Sequence, residues 1–111
     1  MEGRERRINR RVPAEFKVSY IHDGDYLISR SKDISIDGMF IYTENPPAVG
    51  ENSTLVFVIN DREVSVAATV IWVNLGGPTI DHGMGVRFSD APDDLRAEIL
   101  KMVRKVAIIE S

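Results

Sequence analysis

The chain has 111 residues, 43% of them hydrophobic and 28% charged, with a net charge of −3 and no cysteine. That length and composition describe one domain with a real core rather than a disordered segment. The missing thiols exclude disulfides and thiolate metal sites, and the acidic balance argues against extended binding to duplex nucleic acid, which needs a broad basic face.

Positive charge is gathered at the start. Residues 1–11 hold five arginines, all within residues 4–11, and no lysine, opposed only by Glu2 and Glu5. No apolar segment comes after them, and no apolar run approaches the roughly 18 residues of a membrane span. A signal peptide and a membrane partner are therefore not expected, and the cytoplasm is the default compartment. Pro13 disfavours a helix running on past the arginines. Residues 1–12 thus read as an irregular basic arm, and 13–111 as the folded domain.

In "EFKVSY" (15–20), Phe16, Val18 and Tyr20 alternate as in a half-buried strand. "HDGD" (22–25) is a turn, and "YLISRSKDIS" (26–35) is a second strand. "IDG" breaks it, and "MFIYT" (39–43) resumes as a third. "ENPPAVGEN" (44–52) is a loop, since its two prolines and a glycine do not fit inside a ladder. "STLVFVI" (53–59) is a fourth strand and "NDR" (60–62) a tight turn. "EVSVAATVIWVN" (63–74) is a long fifth strand, with a bend or bulge expected at Ala67-Ala68. "LGGPTIDH" (75–82) is a loop and "GMGVRF" (83–88) a sixth strand.

The period then changes. From Pro92 to Val106, Leu95, Ile99, Met102, Val103 and Val106 recur at helical spacing. Asp90, Asp93 and Asp94 lie at the N-terminal end and Lys101, Arg104 and Lys105 near the C-terminal end, the arrangement that complements a helix dipole. Six short strands and one helix, joined by hairpin-length loops, predict an all-β fold: a six-stranded antiparallel barrel with a C-terminal helix packed on it.

Nothing in the pattern points to catalysis. His22 and His82 fall in loops, and neither has a second ligand at metal-binding spacing. No serine stands in a nucleophile-elbow context. The carboxylates cluster at turns and helix ends, where caps and solvation account for them. An enzyme, a metal and a cofactor are not expected.

Two short motifs carry recognition chemistry. Arginine's planar fork donates two parallel hydrogen bonds, to a phosphate or to guanine O6 and N7, and it also stacks on bases. The pairs Arg7/Arg11 and Arg6/Arg10 are each spaced by four. Taken alone, such an arm reads first as a solvated tail or one that attracts polyanions. In "DISIDG" (33–38), Asp33 and Ser35 share a strand face, and Gly38 stands where the chain must turn. Local turn bonding explains that stretch, but a carboxylate also accepts from the N1–H and N2–H₂ edge of guanine.

In that order, "RRINRRVP" and "DISIDG" resemble the PilZ domain, the bacterial receptor module for cyclic di-GMP. The family pattern is R-x-x-x-R in an N-terminal arm, then D/N-x-S-x-x-G on the barrel. Arg7 and Arg11 match the first; Asp33, Ser35 and Gly38 match the second. "VIWV" (70–73) and "GMGVRF" (83–88) also look like the family's strands, so the resemblance spans about residues 4–105. It implies a cyclic di-GMP receptor whose arginines take guanine and phosphate edges while Asp33 and Ser35 take base edges. Arg6, Arg10, Arg87 and Trp72 are further candidates; a lone tryptophan in an apolar strand reads first as core. The implied function is a non-enzymatic second-messenger receptor whose changed surface is read by a separate protein, in motility, biofilm or related behaviour. The alternatives are an adaptor of the same fold with little ligand binding, or a barrel for single-stranded nucleic acid. The low aromatic content, 7%, and the acidic body disfavour the latter.

Overall fold

The computed structural model describes residues 11–77 and 81–110, with side chains to residue 104. Among them are strands β1 (Val12–Pro13), β2 (Lys17–His22), β3 (Asp25–Ile34), β4 (Gly38–Tyr42), β5 (Asn52–Ile59), β6 (Arg62–Asn74) and β7 (Gly83–Ser89), and one helix, α1 (Asp93–Glu110). The sheet runs β1-β3-β2-β5-β6-β7-β4, and β3 also pairs with β4. Strands β2 to β7 therefore close on themselves as a six-stranded antiparallel barrel, with α1 after it, as the pattern of the sequence implies.

Local chemistry sets the hairpins. Asp23 and Gly24 have φ of 51° and 81°, and Asn60 and Asp61 have 49° and 64°. Both pairs lie between directly paired residues, His22↔Asp25 and Ile59↔Arg62. Two successive positive φ values make the hairpin turn whose twist matches that of its strands, and Asp, Asn and Gly tolerate them best. Alternation does the rest. Val18, Tyr20, Leu55, Phe57, Ile59, Val66, Val70, Met84 and Val86 point inward and are buried. Tyr20 keeps its hydroxyl satisfied by donating to Thr43 Oγ1 at 3.1 Å.

α1 lies against the core with Leu95, Ile99 and Val103 buried. The β5–β6 hairpin is tied to it, since Asn60 Nδ2 donates to Glu98 Oε1 at 2.7 Å. The helix starts within a residue of expectation and runs on to Glu110. Lys101, Arg104 and Lys105 thus stand before the last turn, which carries no basic residue, and the expected charge match at the C-terminal end is not made. The Val106 side chain lies outside the described residues.

Two further departures matter for the site. Val12 and Pro13 form a strand of their own, pairing with Ile34 and Asp33 beyond the stretch of β3 that pairs with β2. The buried Val12 side chain drives that pairing. The bulge in β6 is not at Ala67-Ala68, which keep register with β5 and β7. Ala68 is small enough to pack in the core, and nothing forces the ladder open there. The register shifts instead between Val70 and Trp72, so Ile71 is the extra residue.

Candidate functional site

The bulge decides where Trp72 goes. Val70 points inward, so strict alternation would return Trp72 to the core. The extra residue reverses the parity, and Trp72 lies on the outer wall with 40% of its surface exposed. The core expectation for Trp72 is thereby corrected. Its ring covers Gly85, where a Cβ would stand 2.3 Å from Trp72 Cε2.

Register carries this outer row across the barrel. Trp72 pairs with Gly85, Gly85 with Phe40, and Phe40 with Asp33. Phe40 and Trp72 have ring centroids 5.4 Å apart, and Tyr42 meets Phe40 edge-on, also at 5.4 Å. The neighbouring row is Gly38, Arg87, Thr69 and Asn52. Arg87 is exposed and makes no ion pair with any described residue.

At the end of these rows stands the "DISIDG" turn. Ser35 N–H donates to the Gly38 carbonyl at 2.8 Å, and the Gly38 N–H returns the bond at 3.4 Å. The Asp37 N–H donates to Ser35 Oγ at 3.3 Å, and the Phe88 N–H donates to the Asp37 carbonyl at 2.8 Å, fastening the turn to β7. Gly38 does not take positive φ. It is glycine for a different reason: a Cβ would sit 2.0 Å from the Val86 carbonyl oxygen. Close approach of β4 and β7 requires it.

Arg11 lies over this turn. Its Nε is 3.2 Å from Asp33 Oδ1, and its Nη1 donates to Ser35 Oγ at 3.4 Å. The contact to Asp33 is an ion pair without the alignment of a hydrogen bond. Asp33 Oδ1 is buried and accepts none among the described residues. A buried carboxylate oxygen of this kind is costly unless something donates to it. Pro13, paired with Asp33 in β1, has no N–H to offer.

The structure thus brings Arg11, Asp33, Ser35, Gly38, Arg87 and Trp72 to one outer wall. Arg6, Arg7 and Arg10 lie outside the described residues. Two neighbours were missed in the sequence. Phe40 is the outward partner of Asp33, and the alternation of "MFIYT" could have placed it there. Lys32 is the extra residue where β3 shifts register against β4. Its Nζ pairs with Asp81 Oδ2 at 2.6 Å, which raises its pKa, and lies 5.7 Å from the Phe40 ring centroid. No spacing signal marks it.

A cleft of about 630 Å³, lined by Tyr42, Thr43, Glu44, Leu75, Gly77, Asp81 and His82, includes none of the motif residues. His22 stands between Asp23 (3.2 Å) and Glu51 (3.4 Å). Among the described residues no group of three His, Cys, Asp or Glu could hold a metal ion, and no helix is long and apolar enough to cross a membrane.

The model of the PilZ domain matches residues 5–105, nearly the whole chain. The chain belongs to the PilZ domain family. No curated protein matched it in a direct sequence comparison. Solved structures share the fold of this PilZ domain at low identity. The Bacillus subtilis inhibitor of motility MotI/DgrA superposes with a TM-score of 0.75 at 16% identity, over 91% of this chain and 50% of that one. The PilZ domain with c-di-GMP of YcgR from Escherichia coli gives 0.69 at 15%, over 92% of each. MrkH, a c-di-GMP-dependent transcription regulatory factor, gives 0.68 at 18%, over 93% of this chain and 51% of that one. The chain therefore spans about half the length of MotI/DgrA and of MrkH.

Proposed function

We propose that this PilZ domain is a receptor for cyclic di-GMP, without catalytic activity of its own, and that its bound form is read by a separate protein. The observation that carries the reading is the Arg11–Asp33–Ser35 cluster, with a buried carboxylate oxygen that accepts no hydrogen bond among the described residues. Guanine offers what Asp33 lacks. Its N1–H and N2–H₂ edge would donate to Asp33, and its O6 and N7 would accept from the Arg11 fork. Arg7 would take the second half of the arginine motif, with Arg6 and Arg10 as further phosphate or base contacts. Gly38 holds the turn close enough to β7 for Arg87 to flank it. Trp72, backed by the buried Phe40 ring, offers an aromatic surface on the same wall as Asp33. Family membership and the c-di-GMP named with the E. coli neighbour support the same ligand.

Titration calorimetry with cyclic di-GMP beside cyclic di-AMP tests the proposal and yields stoichiometry. The guanine ligand should bind more tightly, because adenine replaces O6 with a donor. Arg11→Lys keeps the charge and loses the fork, and should cost about 1–3 kcal/mol, roughly ten- to a hundredfold in affinity. Asp33→Ala should also weaken binding, although it makes the domain less acidic. Trp72, the only tryptophan, should report binding by a change in fluorescence. Equal affinity for the two dinucleotides, or unchanged affinity in both variants, would reduce the arginines to a basic tail.

A further inference from the structure

Lys32 is a cation on the motif wall that neither receptor motif accounts for. A bulge puts it there. Ser31 and Ile34 are both buried, so strict alternation cannot hold between them. The register of β3 against β4 shifts after Ser31, and the two residues in between, Lys32 and Asp33, both lie on the outer side. Without the extra residue only one of the pair could face that wall.

The surroundings fix where the ammonium stands. Its Nζ is 5.7 Å from the centroid of the Phe40 ring, and Phe40 is the β4 partner of Asp33. Trp72 reaches the same ring from β6, with centroids 5.4 Å apart. Adjacent Cα atoms are about 3.8 Å apart, so a base held on Asp33 has the flexible four-carbon stem of Lys32 beside it. The Ser35–Gly38 turn, with Arg11 over it, lies on the other side of Asp33 along the chain.

These two cations are held differently. Arg11 is on Asp33 itself, whereas Lys32 donates at 2.6 Å to Asp81 Oδ2, just ahead of β7. The Lys32 and Asp81 side chains are 48% and 47% exposed. An exposed pair of this kind stabilises a fold little. The bond to Asp81 is the first cause of the raised Lys32 pKa, and the charge of Asp33 is the last, so the ammonium already feels the motif carboxylate.

We infer that Lys32 is a further ligand residue of the receptor site, which gives up Asp81 to take a phosphodiester of cyclic di-GMP, and that Asp81 is the resting counter-ion that tempers affinity. The inference rests on the cyclic di-GMP reading. Chemistry selects a phosphate over a base. An ammonium is a compact charge with three donors and no planar fork, which suits a phosphate oxygen. Cyclic di-GMP carries two such charges, while Arg11 is engaged with Asp33 and Ser35. The exchange costs little, because one exposed pair is traded for another and the half-exposed Asp81 is left to water.

Titration calorimetry of the full chain with cyclic di-GMP tests it, with Lys32→Gln, Lys32→Arg, Asp81→Asn and the double variant of Lys32→Gln with Asp81→Asn. Lys32→Gln should weaken binding about tenfold and flatten its salt dependence. Lys32→Arg should bind like the parent, because charge is needed here and no particular donor geometry. Asp81→Asn should tighten binding about two- to fivefold. In the double variant that gain should vanish, since Asp81 is a positioning residue that acts only through Lys32. All four should melt near the parent. Equal affinity of the parent and Lys32→Gln would overturn the inference and leave the receptor reading standing. So would an Asp81→Asn gain that persists without Lys32, which would reflect general loss of negative charge. So would an Asp81→Asn variant that melts lower and binds no more tightly, which would make the pair a structural tie. A parent that does not bind cyclic di-GMP would overturn the receptor reading, and this inference with it.

Discussion

Gly38 shows how one residue can look legible in a sequence for the wrong reason. A glycine after "DISID" marks a turn, yet Gly38 takes no left-handed backbone. What it lacks is a side chain, because the Val86 carbonyl oxygen stands where a Cβ would go. The two readings differ in consequence. Gly24, at φ 81° with open space around it, needs conformational freedom, so Gly24→Ala should cost only about 1 kcal/mol of backbone strain. Gly38→Ala must move backbone, since the obstruction is not a flexible side chain, and should cost about 1–3 kcal/mol or more as β4 and β7 part. Thermal melts of the two variants check the order: Gly38→Ala should melt lower than Gly24→Ala. Arg11 and the pair Asp33/Ser35 could each be picked out because each motif is short, but that they meet across 24 residues follows from the β1–β3 pairing. The face of Trp72 was not readable, since it depends on an extra residue at Ile71 that no propensity marks.

At the scale of elements, α1 was legible on its inner face and not in its extent. Leu95, Ile99 and Val103 recur at helical spacing and are buried. What no periodicity shows is the partner of the hairpin tip, Glu98, which is almost fully buried and accepts from Asn60. That hydrogen bond, ahead of the opposing effect of burial, holds the Glu98 carboxyl below its ordinary range. A carboxylate lowered in the folded state stabilises above its unfolded pKa, and that contribution is lost as pH falls through the folded value. Glu98→Gln should therefore melt below the parent at neutral pH, and the gap should close in acid as the parent's Glu98 is protonated. A gap that persists at low pH would mean that the charge has no part in the tie. Ile99→Asp is the harsher test of the same packing. It buries an unpaired charge and should unfold the domain or detach the helix, visible as lost cooperativity in the melt.

The whole molecule is a closed barrel whose outer walls differ: one carries a charged turn beside aromatic rings, and another exposes Ile21, Tyr26, Ile28 and Val58. Closure puts the motif residues on the outside of the barrel. The interior is filled by the inward rows, and each of β2 to β7 pairs with two neighbours, which closes the barrel. A ligand held by Asp33, Gly38, Trp72 and Arg87 would bridge β3, β4, β6 and β7, so binding energy should appear as stability of the whole fold. Anything that binds only the native state stabilises it by about 2.7 kcal/mol at a hundredfold excess over its Kd. For a domain of about 100 residues each kcal/mol moves the midpoint by roughly 4–8 °C. Cyclic di-GMP at that excess should thus raise Tm by on the order of 10 °C at fixed protein concentration. Cyclic di-AMP at the same concentration should do much less, and Asp33→Ala should shrink the cyclic di-GMP shift while leaving the ligand-free Tm near the parent's. Equal shifts from both dinucleotides would mean that the wall responds to phosphate charge, with Asp33 reading no base.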